Sequence, residues 1–339
     1  MPLRQASAAA GMIAGYAADA WFGDPRRGHP VALFGTAAGQ LERRWWADSK
    51  PRGAAYATVC AGSAAVLGLA ARQASRHRPG VRFVLTAAAT WVVLGGRGLA
   101  AEGEKMAQLL ESGELPAARQ RLSHLCARDA TGLGAAELTR AATESIAENT
   151  SDAVVAPLLW GAVAGVPGLL GYRAVNTLDA MVGYRSPRHR NFGWFAARTD
   201  DWANLVPSRA GAMLTAAVAP LAGGRAREAW RTWRRDGGAH PSPNAGQVEA
   251  AFAGALGIRL GGTNTYHGEV ERRGSLGDGR PPAARDLRRA VRLSRLTGAA
   301  ALVLAAAISF AGNRSVKGPL RESESLKDPF TVSGKKGTR

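Results

Sequence analysis

The sequence predicts an all-α, polytopic integral membrane protein whose amphipathic or soluble helices and polar loops form a site at the membrane surface. Two observations carry that expectation. Three uncharged runs, 53–71, 153–172 and 296–313, are each about the length that spans a bilayer core. Around the middle run, residues 144–209 crowd carboxylates, amides and arginines on both sides of an apolar stretch. Such groups are expensive to bury in lipid and unnecessary in a simple anchor, so they point to polar chemistry against or inside a membrane.

The chain has 339 residues, a formal charge of +18 and 46% apolar residues. A basic chain invites a nucleic-acid reading. Here the arginines are spread through loops between apolar runs, and no recognised nucleic-acid motif is present. Anionic lipid headgroups or a phosphorylated substrate account for the charge, so a lipid bilayer and no nucleic acid are expected as partners. The mean hydropathy of -0.12 averages apolar runs with very polar loops. The two cysteines, Cys60 and Cys126, form no CxxC, which argues against a disulfide framework or a zinc ribbon.

One membrane-embedded domain, 1–313, is expected, followed by a disordered polar tail, 314–339. The candidate apolar segments are 5–22, 53–71, 83–98, 153–172, 210–224 and 296–313. The first resembles a short signal peptide but is expected to be retained, because the loop straight after it looks functional. The shorter runs fit tilted spans, re-entrant pieces or buried helices. Alanine and glycine dominate all of them, which permits close helix packing; a large Ala-rich soluble helical protein is the alternative. Residues 99–152 read as soluble helices, with Met106, Leu109, Leu110, Leu115, Leu122 and Leu125 near helical spacing. Pro157 and Pro167 interrupt the run 153–172, and broken helices often line sites. Near the end come a Gly261-Gly262 turn, a Gly/Pro-rich link and an arginine-rich helix. By charge alone, the acidic stretch 102–152 and the basic link 72–82 belong on opposite sides of a membrane.

Glu137, Glu144, Glu148 and Asp152 are spaced seven, four and four apart and share one helix face. Glu144, Glu148 and Asp152 are candidate Mg²⁺ ligands, because hard oxygens suit that ion; a solvated acidic face is the alternative. Asn149 adds an amide beside them. Asn176 and Asp179 sit at i and i+3 in an apolar helix. Arg185, Arg188 and Arg190 cluster around the bend at Pro187. Guanidinium forks match phosphate oxygens, although such a cluster can also simply orient a membrane chain. Asp200, Asp201 and Asn204 supply further oxygen ligands. Asp24 and His29 lie in the Gly/Pro-rich loop 23–30, where the histidine is either a base near neutral pH or merely exposed. Asn264 lies in a hydroxyl- and amide-rich stretch. No P-loop, HExxH, GxSxG or Rossmann glycine pattern is present.

Longer motifs add a resemblance. The strings ESIAENTSDAVVAPLLW and YRAVNTLDAMVGYRSPRHRNFGWFAARTDDWANLVPSR dominate it, with GDPRRGHPV, Arg128-Asp129 and GIRLGGTNTYHG in support. Over residues 15–310 the chain resembles the adenosylcobinamide-phosphate synthase family of cobalamin biosynthesis, the CobD/CbiB family of integral membrane proteins. The family pattern Gly-Arg-Asp-Thr is replaced here by Ala127-Arg128-Asp129-Ala130.

The resemblance implies ATP-dependent amide ligation. Adenosylcobyric acid joins an amino alcohol or its phosphate, of the 1-amino-2-propanol phosphate type, to give adenosylcobinamide or its phosphate. It implies ATP and Mg²⁺ as co-substrate and metal, with no bound prosthetic group. It also implies a multi-pass cell-membrane location, an active site facing the cytoplasm, and a complex with other late cobalamin-assembly membrane enzymes as a candidate assembly. In that chemistry Glu144, Glu148, Asp152, Asp179, Asp200 and Asp201 are candidate metal ligands. Glu148, Asp152 or His29 is the candidate base, with no ranking among them. Asp24, Arg128, Asn149, Asn176, Arg185, Arg188, Arg190, Asn204 and Asn264 are candidate substrate or phosphate contacts. The competing class is a membrane transporter or corrinoid carrier without chemistry, because inward-facing carboxylates also mark ion pathways.

Overall fold

The computed structural model describes residues 2–25, 28–184, 186–266 and 269–311, with side chains described outside 2–5 and 263–272. The expected tail, 314–339, lies outside the described residues. Thirteen α-helices and one hairpin follow in order among these residues: α1 (Pro2–Phe22), α2 (Pro30–Trp45), α3 (Lys50–Ala74), α4 (Pro79–Val93), α5 (Gly96–Glu111), α6 (Leu115–Leu122), α7 (Ala135–Thr150), α8 (Ala156–Ala164), α9 (Val166–Val182), α10 (Trp194–Val218), α11 (Ala226–Asp236), α12 (Ala245–Leu256), β1 (Leu260–Tyr266), β2 (Glu269–Leu276) and α13 (Ala284–Ala311). A π-helical turn, Ser151–Val155, joins α7 to α8, and a 3₁₀ turn, Ala219–Ala222, ends α10. Proline opens α2, α3, α4, α6, α8 and α9. There its missing N–H has no helical partner to lose and its fixed φ suits the first turn.

Among the described residues four helical stretches are long and apolar enough to cross a membrane: Lys50–Ala74, Pro79–Glu111, Trp194–Ala222 and Ala284–Ala311. The 25 residues of α3 span about 37 Å at 1.5 Å per residue, more than the ~30 Å hydrocarbon core. Large apolar side chains stand exposed on these helices and on α8, among them Val66, Leu67, Val163 and Val303. Water penalises such a surface and lipid does not. The fold class read from the sequence therefore holds.

The apolar cores fall at two levels. The largest gathers α5, α6, α7, α12, the end of α10 and the start of α13, with Ile146, Leu138, Phe252 and Leu287 fully buried. This level forms a helical cap. Smaller cores join α1, α8 and α13, and α2, α3, α9 and α10. These form the lipid-facing half. In that half α1 and α4 run parallel: Gly11 packs on Phe83 and Thr86, and Gly15 on Ala87 and Thr90. The four-residue glycine spacing lets two backbones meet with no side chain between them.

The structure corrects one expectation. The run 153–172 is not one span. It enters through the π turn, forms the nine-residue α8, reverses at Gly165 (φ 72°) and returns as α9. A nine-residue helix reaches only about 13 Å, so the hairpin dips in and comes back. Pro157 and Pro167 open its two arms. The segment 210–224 falls mostly within the apolar stretch Trp194–Ala222 and combines two of the alternatives expected of it, with Ala216, Ala219 and Ala222 buried in the cap core. The segment 83–98 breaks between α4 and α5 at Leu94 and Gly95. The β1–β2 hairpin was not anticipated. It is antiparallel, with an irregularity at Gly261 and Gly262, whose φ values of 79° and 92° favour glycine.

Two outcomes are expected from this architecture. The chain should stay with the membrane pellet after alkaline carbonate extraction; recovery in the supernatant without detergent would sink it. A Cβ at position 15 falls 2.5 Å from the Ala87 carbonyl oxygen, whereas one at position 62 meets nothing within 4 Å. Gly15→Ala should therefore lose about 1–3 kcal/mol and Gly62→Ala little, read as thermal midpoints in detergent.

Candidate active site

The polar residues converge where the cap meets the lipid-facing half. Helix α7 delivers the first of them. Its N-terminus is capped by Glu137, whose carboxylate accepts from the Gly134 N–H at 2.9 Å. Glu137 is thus a solvent-side cap, about four turns from Asp152 at the junction. Further along, α7 is buried from Leu138 onward, and Glu144 is 2% exposed.

Glu144 and Arg128 are corrected in role. Arg128 Nη2 donates to Glu144 Oε2 at 2.6 Å, and the Gly261 N–H donates to Oε1 at 2.8 Å. Arg140 donates to the Gly261 carbonyl and lies 3.8 Å from Glu144. A buried anion has to recover from the protein the hydrogen bonds it loses from water. Glu144 does so by clamping the 128 loop and β1 to α7. Its oxygens are committed, so it fits a structural role better than metal ligation, and Arg128 is its counter-ion rather than a phosphate receptor.

Beyond α7 the π turn inserts an extra residue into the helix and re-aims Asp152; such turns concentrate at functional sites. Burial pushes the Asp152 carboxyl well above the usual carboxylate range, and the charges of Asp200, Glu148 and Asp179 push it further. The Tyr172 hydroxyl shares its proton between the Asp152 carbonyl (3.0 Å) and Asn204 Oδ1 (2.9 Å). Asn204 Nδ2 donates to Asp200 Oδ2 at 3.0 Å, and Asn176 Nδ2 to Asp200 Oδ1 at 3.3 Å. Asp152, Asn176, Asp179, Asp200 and Asn204 thus come together from the π turn, α9 and α10, with the α7 residue Glu148 felt by all three aspartates. Asn149 caps back along α7, its Nδ2 donating to the Ser145 carbonyl at 2.9 Å. Asp201 stands to one side, half-buried near Arg198 at 3.9 Å, while its carbonyl accepts from Asn244.

The loop before α2 supplies Asp24 and His29. His29 is the N-cap of α2: Nδ1 accepts from the Val31 N–H at 3.2 Å, which assigns the proton to Nε2, 3.5 Å from Asp24 Oδ1. The cap engages Nδ1 and sets Nε2 toward Asp24.

The arginine cluster is also corrected. Arg188 donates to Glu42 Oε1 at 3.0 Å and stacks on Trp46 at 4.7 Å. His189 Nε2 lies 3.2 Å from the same carboxylate. This group anchors the end of α2 away from the aspartates. Arg190 is exposed on the same turn, and Arg185 lies outside the described residues. Asn264 pairs in register with Glu271 in the hairpin, and its side chain lies outside the described ones.

Three residues were missed. Tyr172 joins the aspartate network. Arg173 lies beside Asp24 and Asp152. Glu249, the one charged residue of α12, is 0% exposed, with no hydrogen bond to either oxygen and His240 Nε2 at 3.9 Å. Burial, and then the charges of Glu144 and Glu148, push its carboxyl well up. A lone charge within an apolar helical period is the signal that could have found Arg173 and Glu249.

Among the described residues no group of three or more His, Cys, Asp or Glu side chains is arranged to hold a metal ion. The donor set still fits Mg²⁺ in its usual mode, with one or two carboxylates and the rest of the shell from substrate phosphates and water. Clustered like charges at the π turn favour any cation that arrives.

The clamp yields a stability test. Arg128→Met leaves a buried carboxylate uncompensated and should cost about 3–5 kcal/mol, whereas pairing it with Glu144→Leu should restore much of the loss. Thermal midpoints of the three variants decide this; an additive double mutant would show that the two residues are not coupled.

Residues 12–294 match the family described as CobD/Cbib protein. The chain is 55% identical over 298 residues, 88% of its length and 94% of the relative's, to a protein of Mycobacterium tuberculosis (strain ATCC 25618 / H37Rv) named "Cobalamin biosynthesis protein CobD". Proteins of the same name from Geobacter metallireducens and Stutzerimonas stutzeri are 45% and 43% identical, over 77% and 81% of this chain and 83% and 89% of theirs. No solved structure matches. With a family match that runs from α1 into α13 and relatives aligned over most of both chains, this protein belongs to the CobD/Cbib family.

Proposed function

We propose that this protein is an ATP- and Mg²⁺-dependent amide ligase of cobalamin biosynthesis. It joins the propionate carboxylate of adenosylcobyric acid to an amino alcohol or its phosphate, giving adenosylcobinamide or adenosylcobinamide phosphate. The observation that carries the reading is the gathering of Glu148, Asp152, Asp179 and Asp200 at the junction of the cap and the lipid-facing half, in a chain of this family.

The chemistry needs two displacements. A carboxylate is a poor acyl donor. Its oxygen attacks the γ-phosphorus of ATP, the bond to the bridging oxygen breaks, and ADP leaves an acyl phosphate. The amine nitrogen then attacks the acyl carbon, and phosphate departs with its electron pair. Mg²⁺ would neutralise phosphate charge, held by Asp152 and one neighbouring carboxylate. The attacking ammonium must first lose a proton. Glu148 or Asp152 serves as that base; burial holds the Asp152 carboxyl above the usual carboxylate range, so that it accepts a proton nearer neutral pH. Asn176, Asn204 and Tyr172 hold Asp200 and the π turn in place. The wide corrinoid lies at the membrane surface, and the ATP-using face looks to the cytoplasm of a cell-membrane enzyme.

Protein purified in detergent should convert adenosylcobyric acid, 1-amino-2-propanol phosphate and ATP into the amide with release of ADP. Equal product without nucleotide would remove the activation step, and no product at all would favour a carrier. Glu148→Gln and Asp152→Asn keep shape and remove charge, so turnover should fall about 100-fold or more. Glu137→Gln should change it little, since glutamine also closes a capping box. Near-normal turnover of the first two variants at limiting Mg²⁺ would move the site to Asp179 and Asp200.

A further inference from the structure

A cavity of about 330 Å³ lies between α2, α3, α4 and α9. Its walls are apolar, with Val31, Phe34, Leu67, Val92 and Leu170 prominent. Three polar side chains reach it: Ser63, Thr177 and Arg173. Two of them are committed. Ser63 Oγ donates to the Cys60 carbonyl at 2.8 Å, and Thr177 Oγ1 to the Arg173 carbonyl at 2.7 Å. Arg173 is not. Its Nε is shut off from solvent and has no hydrogen-bond partner, and among the described residues no carboxylate pairs with it within 4.0 Å. The nearest acidic groups are Asp24, before α2, and Asp152, on the π turn.

An Arg173 Nε shut off from water without a partner is held at a loss unless an oxyanion meets it, and the planar guanidinium fork fits phosphate or carboxylate oxygens. The apolar walls suit a short hydrocarbon stem. The neighbouring aspartates favour a cation at the ligand's other end. A corrinoid macrocycle is far too large for this space, so the cavity suits the smaller substrate.

We propose that Arg173 and this cavity form the subsite for the amine-bearing substrate, with the guanidinium gripping a phosphate monoester on a short apolar stem and the ammonium lying toward Asp24 and Asp152. The proposal rests on the ligase reading for the identity of that substrate. It makes the phosphorylated amino alcohol, rather than the free one, the ligand for which the site is built. Arg173 is thereby a specificity-determining residue.

The test compares KM for 1-amino-2-propanol phosphate and for unphosphorylated 1-amino-2-propanol in the full-length protein in detergent. Losing a charge-assisted hydrogen-bond pair should raise KM for the phosphate ester by about 10- to 100-fold in Arg173→Met. KM for the free amine should move far less, so the ratio of the two KM values is the readout. Arg173→Lys, which keeps charge but not the fork, should fall between. Ala64→Phe fills the cavity and should raise both KM values together. An unchanged ratio in Arg173→Met overturns the proposal, whether both values rise or neither does. If the wild-type protein forms no amide, the ligase reading fails by itself, and equilibrium dialysis with radiolabelled 1-amino-2-propanol phosphate decides this one. Binding lost in Arg173→Met and partly kept in Arg173→Lys supports the subsite; equal binding by wild type and Arg173→Met overturns it.

Discussion

A carboxylate without water around it must take its hydrogen bonds from the protein, and Glu144 organises the cap by doing so. Arg128 reaches it from the loop before α7, and the backbone of Gly261 reaches it from the hairpin. Two segments, the loop before α7 and the hairpin, are thereby fixed to one helix. The positions of Glu148 and of the π turn follow, because both lie within two turns of Glu144 on the same rod. Replacing the pair by apolar residues could match its stability. What the pair adds is register: it sets how far α7 extends toward the aspartates of α9 and α10.

That arrangement explains why the junction can hold so many like charges. Burial raises the proton affinity of Asp152 and Asp179, and the nearby charges of Asp200 and Glu148 raise both further. Left alone, such a group relaxes by spreading apart or by taking up protons. Here Tyr172, Asn176 and Asn204 oppose spreading through direct hydrogen bonds. The site is held in a state that a cation or an ammonium group would relieve, which suits the proposed chemistry and its two positively charged participants.

The sequence disclosed helices, apolar runs and most of the carboxylates, because periodicity and charge are local properties. It disclosed less about pairing. Glu144 and Glu148 look alike on a helical wheel, and only the approach of Arg128 and Gly261 separates clamp from site. Arg188 looks like a phosphate receptor until Glu42, far earlier in the chain, meets it. The π turn has no compositional mark, so the run 153–172 read as a span when it is a hairpin. Arg173 and Glu249 carry little signal of their own, because neither stands in a local cluster of charges.

The same long-range assembly bears on sidedness. Taken alone, the stretch 102–152 is acidic and the link 72–82 is basic, which opposes a cytoplasmic site under a local charge rule. The fold changes the sum. It brings Arg227, Arg231, Arg234 and Arg235 of α11, and Arg285, Arg288, Arg289, Arg292 and Arg295 of α13, to the cap side. The opposite end holds the link with Arg72, Arg76, Arg78 and Arg82. Acidic residues weigh little in membrane orientation, whereas arginines close to helix ends weigh heavily. Counted on the folded chain, the cap carries the larger positive excess. On the folded chain the charge rule no longer opposes the proposed cytoplasmic site, as it did along the linear sequence.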